Sequence, residues 1–60
     1  SNGGKWVRYD FTTGKMVKGL NRHDNSWYYF DSTTGAMQKG RVWVPEWKSW
    51  HWFDPTTGRG

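Results

Sequence analysis

Three carboxylates, Asp10, Asp31 and Asp54, recur along a chain of 60 residues. Paired carboxylates are the working groups of glycoside hydrolysis, which needs two acids in unlike surroundings, one protonated and one ionised. Here the surroundings are alike: the three read "DFTTG", "DSTTG" and "DPTTG". An Asp in that context accepts from backbone N–H groups two or three residues on, so the three are expected to cap turns. His23 and His51 are the only histidines and cysteine is absent. Disulfides and thiolate metal sites are thereby excluded, and no Ser-His-Asp arrangement has supporting context. No catalytic residue, metal or cofactor is expected.

The chemistry that remains belongs to rings. Six Trp, three Tyr and three Phe make up 20% of the chain, while Leu20 is the one leucine and isoleucine is absent. Such rings either bury large areas as a thin core or stand open as a stacking surface. An open Trp or Tyr holds a quaternary ammonium by its ring quadrupole, or takes the C–H face of a sugar. Trp27, Tyr29, Trp50 and Trp52 alternate onto one side of their segments and are the first candidates for a ligand face. Trp6 and Trp43 extend the set, and Met37 supplies a soft floor. Phe30 and Phe53 have no polar handle and are assigned to the core. The net charge of +4 favours anionic partners. Its carriers are scattered, with Lys18 and Lys39 each placed before a glycine where they are either solvated or meet phosphate.

These residues sit in a repeat. Aligned on Thr-Thr-Gly, Trp6, Trp27 and Trp50 share a column, as do Asp10, Asp31 and Asp54, and Gly14, Gly35 and Gly58. The spacing is 21 residues and then 23, and a chain with such a period has to be read as an array. The approximate units are 3–19, 20–40 and 41–60, one module whose uneven ends point to a longer array. "WYYFD" alternates as a strand does, and "DSTTG" and "DPTTG" are turns, with Pro55 placed as a type I turn prefers. Asp24-Asn25 and Pro45-Glu46 mark further turns between the units. The expected fold class is all-β, an antiparallel meander or short β-solenoid of hairpins with no helix. Its strands are Lys5–Asp10, Lys15–Asn21, Ser26–Asp31, Ala36–Val44 and Lys48–Phe53.

"SWYYFDSTTGAMQKG" resembles the cell-wall-binding repeat, of choline-binding or glucan-binding type, found in Gram-positive surface proteins, peptidoglycan hydrolases and phage endolysins. The likeness covers residues 5–58. It implies a secreted, wall-associated module that binds choline, teichoic acid or glucan by aromatic stacking. In choline-binding members a Trp after the closing Gly forms one wall of the site. Here Leu20 follows Gly19 and Arg41 follows Gly40, with Trp43 as the substitute at the second junction. "KMVKGLN" is closer to glucan-binding repeats.

The leading functional expectation is therefore a non-catalytic module that anchors a hydrolase, endolysin or surface protein to a wall polymer. Single-stranded nucleic-acid binding on aromatic platforms is the alternative, marked by a steep salt dependence. A structural, self-associating repeat is the third, since uncovered hairpin ends invite homo-oligomers. No run of 18 apolar residues is present to span a membrane.

Overall fold

The Thr-Thr-Gly segments fold as their composition demands. In the computed structural model, which describes residues 4–60, Asp31 Oδ1 accepts from the backbone N–H groups of Thr33 and Thr34, both at 2.8 Å. The Gly35 N–H donates to the Asp31 carbonyl at 2.9 Å and the Asp31 N–H to the Ala36 carbonyl at 2.8 Å. Asp10 and Asp54 make the same two side-chain bonds, to Thr12 and Thr13 and to Thr56 and Thr57. The glycine closing each turn has a φ of 73–79°, the left-handed region that a side chain resists.

From these turns hang five strands: β1 (Gly19–His23), β2 (Ser26–Phe30), β3 (Met37–Gln38), β4 (Gly40–Val44) and β5 (Ser49–Phe53). All pairing is antiparallel, in a three-stranded sheet ordered β1-β2-β3 and a two-stranded sheet β4-β5. The all-β hairpin architecture matches the sequence reading, and no helix occurs among the described residues.

Three strands expected from the sequence are corrected. Lys5–Asp10 and the start of Lys15–Asn21 are not regular strands: they meet at the isolated bridge Tyr9↔Met16, with the Asp10 N–H donating to the Lys15 carbonyl and the Val17 N–H to the Arg8 carbonyl, both at 2.7 Å, and regular structure begins at Gly19. A lone pair of short strands is marginal in water. Ala36–Val44 is split into β3 and β4 because Gly40, at φ 79°, redirects the chain from one sheet to the next. The single meander thus becomes two stacked hairpin units.

The turns inside those units differ in length. Asp24 and Asn25, at φ 49° and 63°, join β1 to β2 as a tight mirror-image turn. Pro45 to Lys48 join β4 to β5 with bonds from the Trp47 N–H to the Val44 carbonyl and from the Lys48 N–H to the Pro45 carbonyl. This longer connection contains the two extra residues of the second repeat period.

Cross-strand partners share a side of a sheet. One side of β1–β2 carries Leu20, Arg22, Trp27 and Tyr29; the other carries Asn21, His23, Tyr28 and Phe30. The first side packs on β4–β5, where Tyr29, Val44 and Phe53 form the buried cluster, with Leu20, Trp27, Val42 and Trp47 against it. Phe30 and Phe53 are 4% and 0% exposed, as expected of core.

Candidate functional site

Each unit lays one side on the next, so the stack contains two grooves built from the same sequence columns. The first lies between the segment Trp6–Arg8 and β1–β2. It encloses a cavity of about 210 Å³ lined by Trp6, Val7, Arg8, His23, Tyr28, Phe30 and Met37. The Met37 N–H donates to the Trp6 carbonyl at 2.7 Å, which ties two of the lining residues together. Trp6 is 60% exposed, so its ring stands at the mouth rather than in the core.

The second groove repeats this plan with different contents. The Gly60 N–H donates to the Trp27 carbonyl at 2.8 Å, as Met37 does to Trp6. Trp27 and His51 occupy the columns of Trp6 and Tyr28. Both meet Trp47 edge-on, with ring centroids 5.3 Å and 5.1 Å away. Trp47 comes from the longer β4–β5 connection, and the tight Asp24–Asn25 turn has no counterpart to it. The Arg22 guanidinium lies 5.6 Å from the Trp27 ring. Trp27 and His51 therefore already have aromatic or cationic partners, whereas in the first groove Trp6 stands largely exposed and Tyr28 meets only the His23 ring, tilted at 6.5 Å, among the described residues.

Beyond the second groove lies the outer side of β4–β5. There Trp43, Trp50 and Trp52 are 45%, 54% and 61% exposed. Trp43 meets Trp50 edge-on at 5.6 Å, and Arg41 covers the Trp50 ring at 4.3 Å. Trp52 is the most open of the three.

The sequence candidates thus fall in three places. Trp6 and Met37 meet in the first groove. Trp27 is half-buried in the second. Trp43, Trp50 and Trp52 share the outer face. Tyr29 does not join them on an open face: it is 9% exposed and part of the buried cluster. Its column is covered in the second unit because β4–β5 lies over it, whereas Trp52 in the same column has no described element above it. Burial raises the Tyr29 hydroxyl's pKa, reinforced by the charges of Glu46 and Asp31. Glu46 reaches the same junction, accepting from the Leu20 N–H at 3.1 Å.

Sequence reasoning missed Tyr28, Arg8 and His23 as groove residues. Arg8 had left a signal, because it is the one charged residue in the column of Tyr29 and Trp52. Its Nη2 donates to His23 Nδ1 at 2.6 Å, and His23 Nε2 lies 3.2 Å from Asp24 Oδ2.

The three aspartates are confirmed as caps in geometry. The backbone N–H of Thr13 chiefly lowers the Asp10 pKa, that of Thr34 the Asp31 pKa, and that of Thr57 the Asp54 pKa. All three shift in the same direction for the same cause, and no two share a site.

The fold has counterparts among known proteins. Residues 17–59 match the family model described as the choline-binding repeat. Among solved structures, the chain is similar to choline-binding protein F from Streptococcus pneumoniae, at 29% identity and a TM-score of 0.77, over 92% of this chain and 17% of that one. It is also similar to CbpJ from the same organism, at 27% identity and a TM-score of 0.83, over 98% of this chain and 19% of that one. A further structure of choline-binding protein F, determined in the presence of a peptidoglycan analogue, matches at 26% identity and a TM-score of 0.80. The chain spans less than a fifth of the length of these proteins. No curated protein sequence matches it.

Proposed function

The chain belongs to the choline-binding repeat family, and we propose that it is a non-catalytic module whose first groove holds the choline of a cell-wall polymer. The observation that carries this reading is the cavity between Trp6, Tyr28, Phe30 and Met37. A quaternary ammonium has no N–H to donate, so hydrogen-bond acceptors gain nothing from it and ring faces become its natural contacts. Each exposed ring contributes about 0.5–1 kcal/mol, and a desolvated one ~2 kcal/mol or more. The thioether of Met37 is polarizable and adapts to the methyl groups. Among the described residues no carboxylate lines the cavity, so recognition rests on rings rather than on a counter-ion.

A few such ring contacts, together worth about 4 kcal/mol, correspond to millimolar affinity. Retention on a polymer comes from many weak sites acting together. The outer face of Trp43, Trp50 and Trp52 adds a second stacking surface for the polymer. In this reading the module anchors a secreted hydrolase, endolysin or surface protein, and Trp27 and Tyr29 serve the stack that holds the grooves in shape.

The test is a titration with choline followed by tryptophan fluorescence, on the unaltered chain and on Trp6→Ala. Because Trp6 is largely exposed, the variant should keep its fold, checked by circular dichroism. A saturable change lost in the folded variant supports the site. An unchanged affinity in Trp6→Ala removes the first groove from the account.

A further inference from the structure

The first groove has a cationic residue in the place where the other units have a ring. Arg8 occupies the column of Tyr29 and Trp52 and lines the cavity together with Trp6, Tyr28 and Phe30. A guanidinium there opposes an isolated quaternary ammonium, since like charges a few ångströms apart repel. The arrangement makes physical sense if the ligand also carries an anion. Resting on the choline reading above, we propose that Arg8 selects a zwitterion: the ammonium lies against the rings while Arg8 binds the phosphodiester of the same phosphocholine unit.

Three observations support the assignment. Among the described residues no carboxylate makes a contact ion pair with Arg8; Asp10 acts on it only at longer range, so the guanidinium remains open to a closer anion. Among the described residues its guanidinium makes one hydrogen bond, from Nη2 to His23 Nδ1 at 2.6 Å, and a guanidinium has five N–H donors. Four therefore remain for a ligand, in the fork geometry that suits phosphate oxygens. His23 is itself held by Asp24, 3.2 Å from Nε2, so a chain of side chains from the turn steadies the guanidinium before any ligand arrives. Arginine donates only, so His23 must present an unprotonated Nδ1 to it.

The ligand chemistry fits the spacing. Choline joins its ammonium to its ester oxygen through two carbons, so cation and phosphate fall inside one small cavity. Lys18 and Lys39, the residues the sequence offered for phosphate, do not line it. A net charge of +4 would attract any anion to some degree, so the claim is about Arg8 in particular and needs a charge-matched control. Lys48, exposed in the β4–β5 connection and outside the cavity, provides that control.

The experiment compares the affinity for glycerophosphocholine with that for choline, by calorimetry or fluorescence, at low and physiological salt. The unaltered chain should prefer the phosphodiester by about fivefold or more, as a partly exposed charge-assisted contact allows. Arg8→Gln should bring that ratio to about one, and Lys48→Gln should leave it in place. Arg8→Lys, which keeps the charge but not the fork, should fall between. Equal affinities for the two ligands in the unaltered chain overturn the role of Arg8 while leaving the choline site standing. Binding of neither ligand overturns the choline reading itself. Glycerol phosphate, which lacks the ammonium, should bind far more weakly than glycerophosphocholine; comparable binding would reduce Arg8 to an anion site and refute the zwitterion. Sedimentation with phosphatidylcholine vesicles separates a lipid source of the head group from the wall polymer. Retention on choline-bearing walls without vesicle binding is expected, and the reverse contradicts the assignment.

Discussion

Replacing Gly35 by Ala tests the stacking of the units more sharply than any ring substitution. Gly35 has a φ of 75°, and a Cβ built there would lie 2.9 Å from Met16 Cγ and also meet Met16 Sδ. Gly14 has nearly the same φ, 73°, but nothing lies within 4 Å of its Cβ position. The two sites therefore share a backbone cost and differ in a packing cost. An Ala in the left-handed region costs roughly 1 kcal/mol. Forcing Met16 aside adds about 1–3 kcal/mol, the usual range for overpacking. At about 4–8 °C per kcal/mol for a domain of this size, Gly35→Ala should melt about 5 °C or more below Gly14→Ala. Thermal unfolding followed by near-ultraviolet circular dichroism of the tryptophans reads this directly. In a Met16→Ala background the extra penalty should vanish, leaving Gly35→Ala no worse than Gly14→Ala. Equal melting shifts for the two single variants would refute the packing of one unit's methionine on the next unit's glycine. The same contact recurs where Met37 Cε meets the Cβ position of Gly58 at 3.0 Å.

Other predictions follow from the turns and the open face. The carboxyls of Asp10, Asp31 and Asp54 are held below the ordinary value for an aspartate, chiefly by backbone N–H donors. Their contribution to stability should be complete above that value and lost as pH falls through the lowered one, and Asn at all three positions should flatten this part of the melting-temperature profile. Asn25, at φ 63° in a mirror-image turn, should gain up to about 1 kcal/mol on change to Gly, seen as a higher melting temperature. Trp52→Ala removes a ring that is 61% exposed. It should shift stability by no more than about 0.5 kcal/mol while reducing retention on walls, and a large loss of stability would place Trp52 in a packing role.

Much of this architecture was legible in the chain. The Asp, Thr-Thr and Gly columns predicted the turns because each residue type answers a specific local need, an acceptor at the start and a left-handed backbone at the end. Phe30 and Phe53 read as core because an alternating strand has an inner side, and rings without polar atoms go there. The fate of Tyr29 was not legible. Alternation assigns it to a side of its strand, but whether that side is covered depends on the neighbouring hairpin, so one column holds buried Tyr29 and exposed Trp52. The difference between the grooves was half visible. The period lengthens by two residues, yet only the structure shows that the longer connection carries Trp47 against Trp27 and His51.

The two methionines give the most direct measurement of where choline sits. Both methionines pack on the turn glycine of the following unit, Met16 on Gly35 and Met37 on Gly58, but of the two only Met37 lines the first groove. With both methyl groups isotopically labelled, choline should shift the Met37 resonance in a saturable manner, and together with it the indole N–H of Trp6. The Met16 methyl should move little. A shift confined to Met16, or to the indoles of Trp43, Trp50 and Trp52 with Met37 unmoved, would contradict a choline site in the first groove.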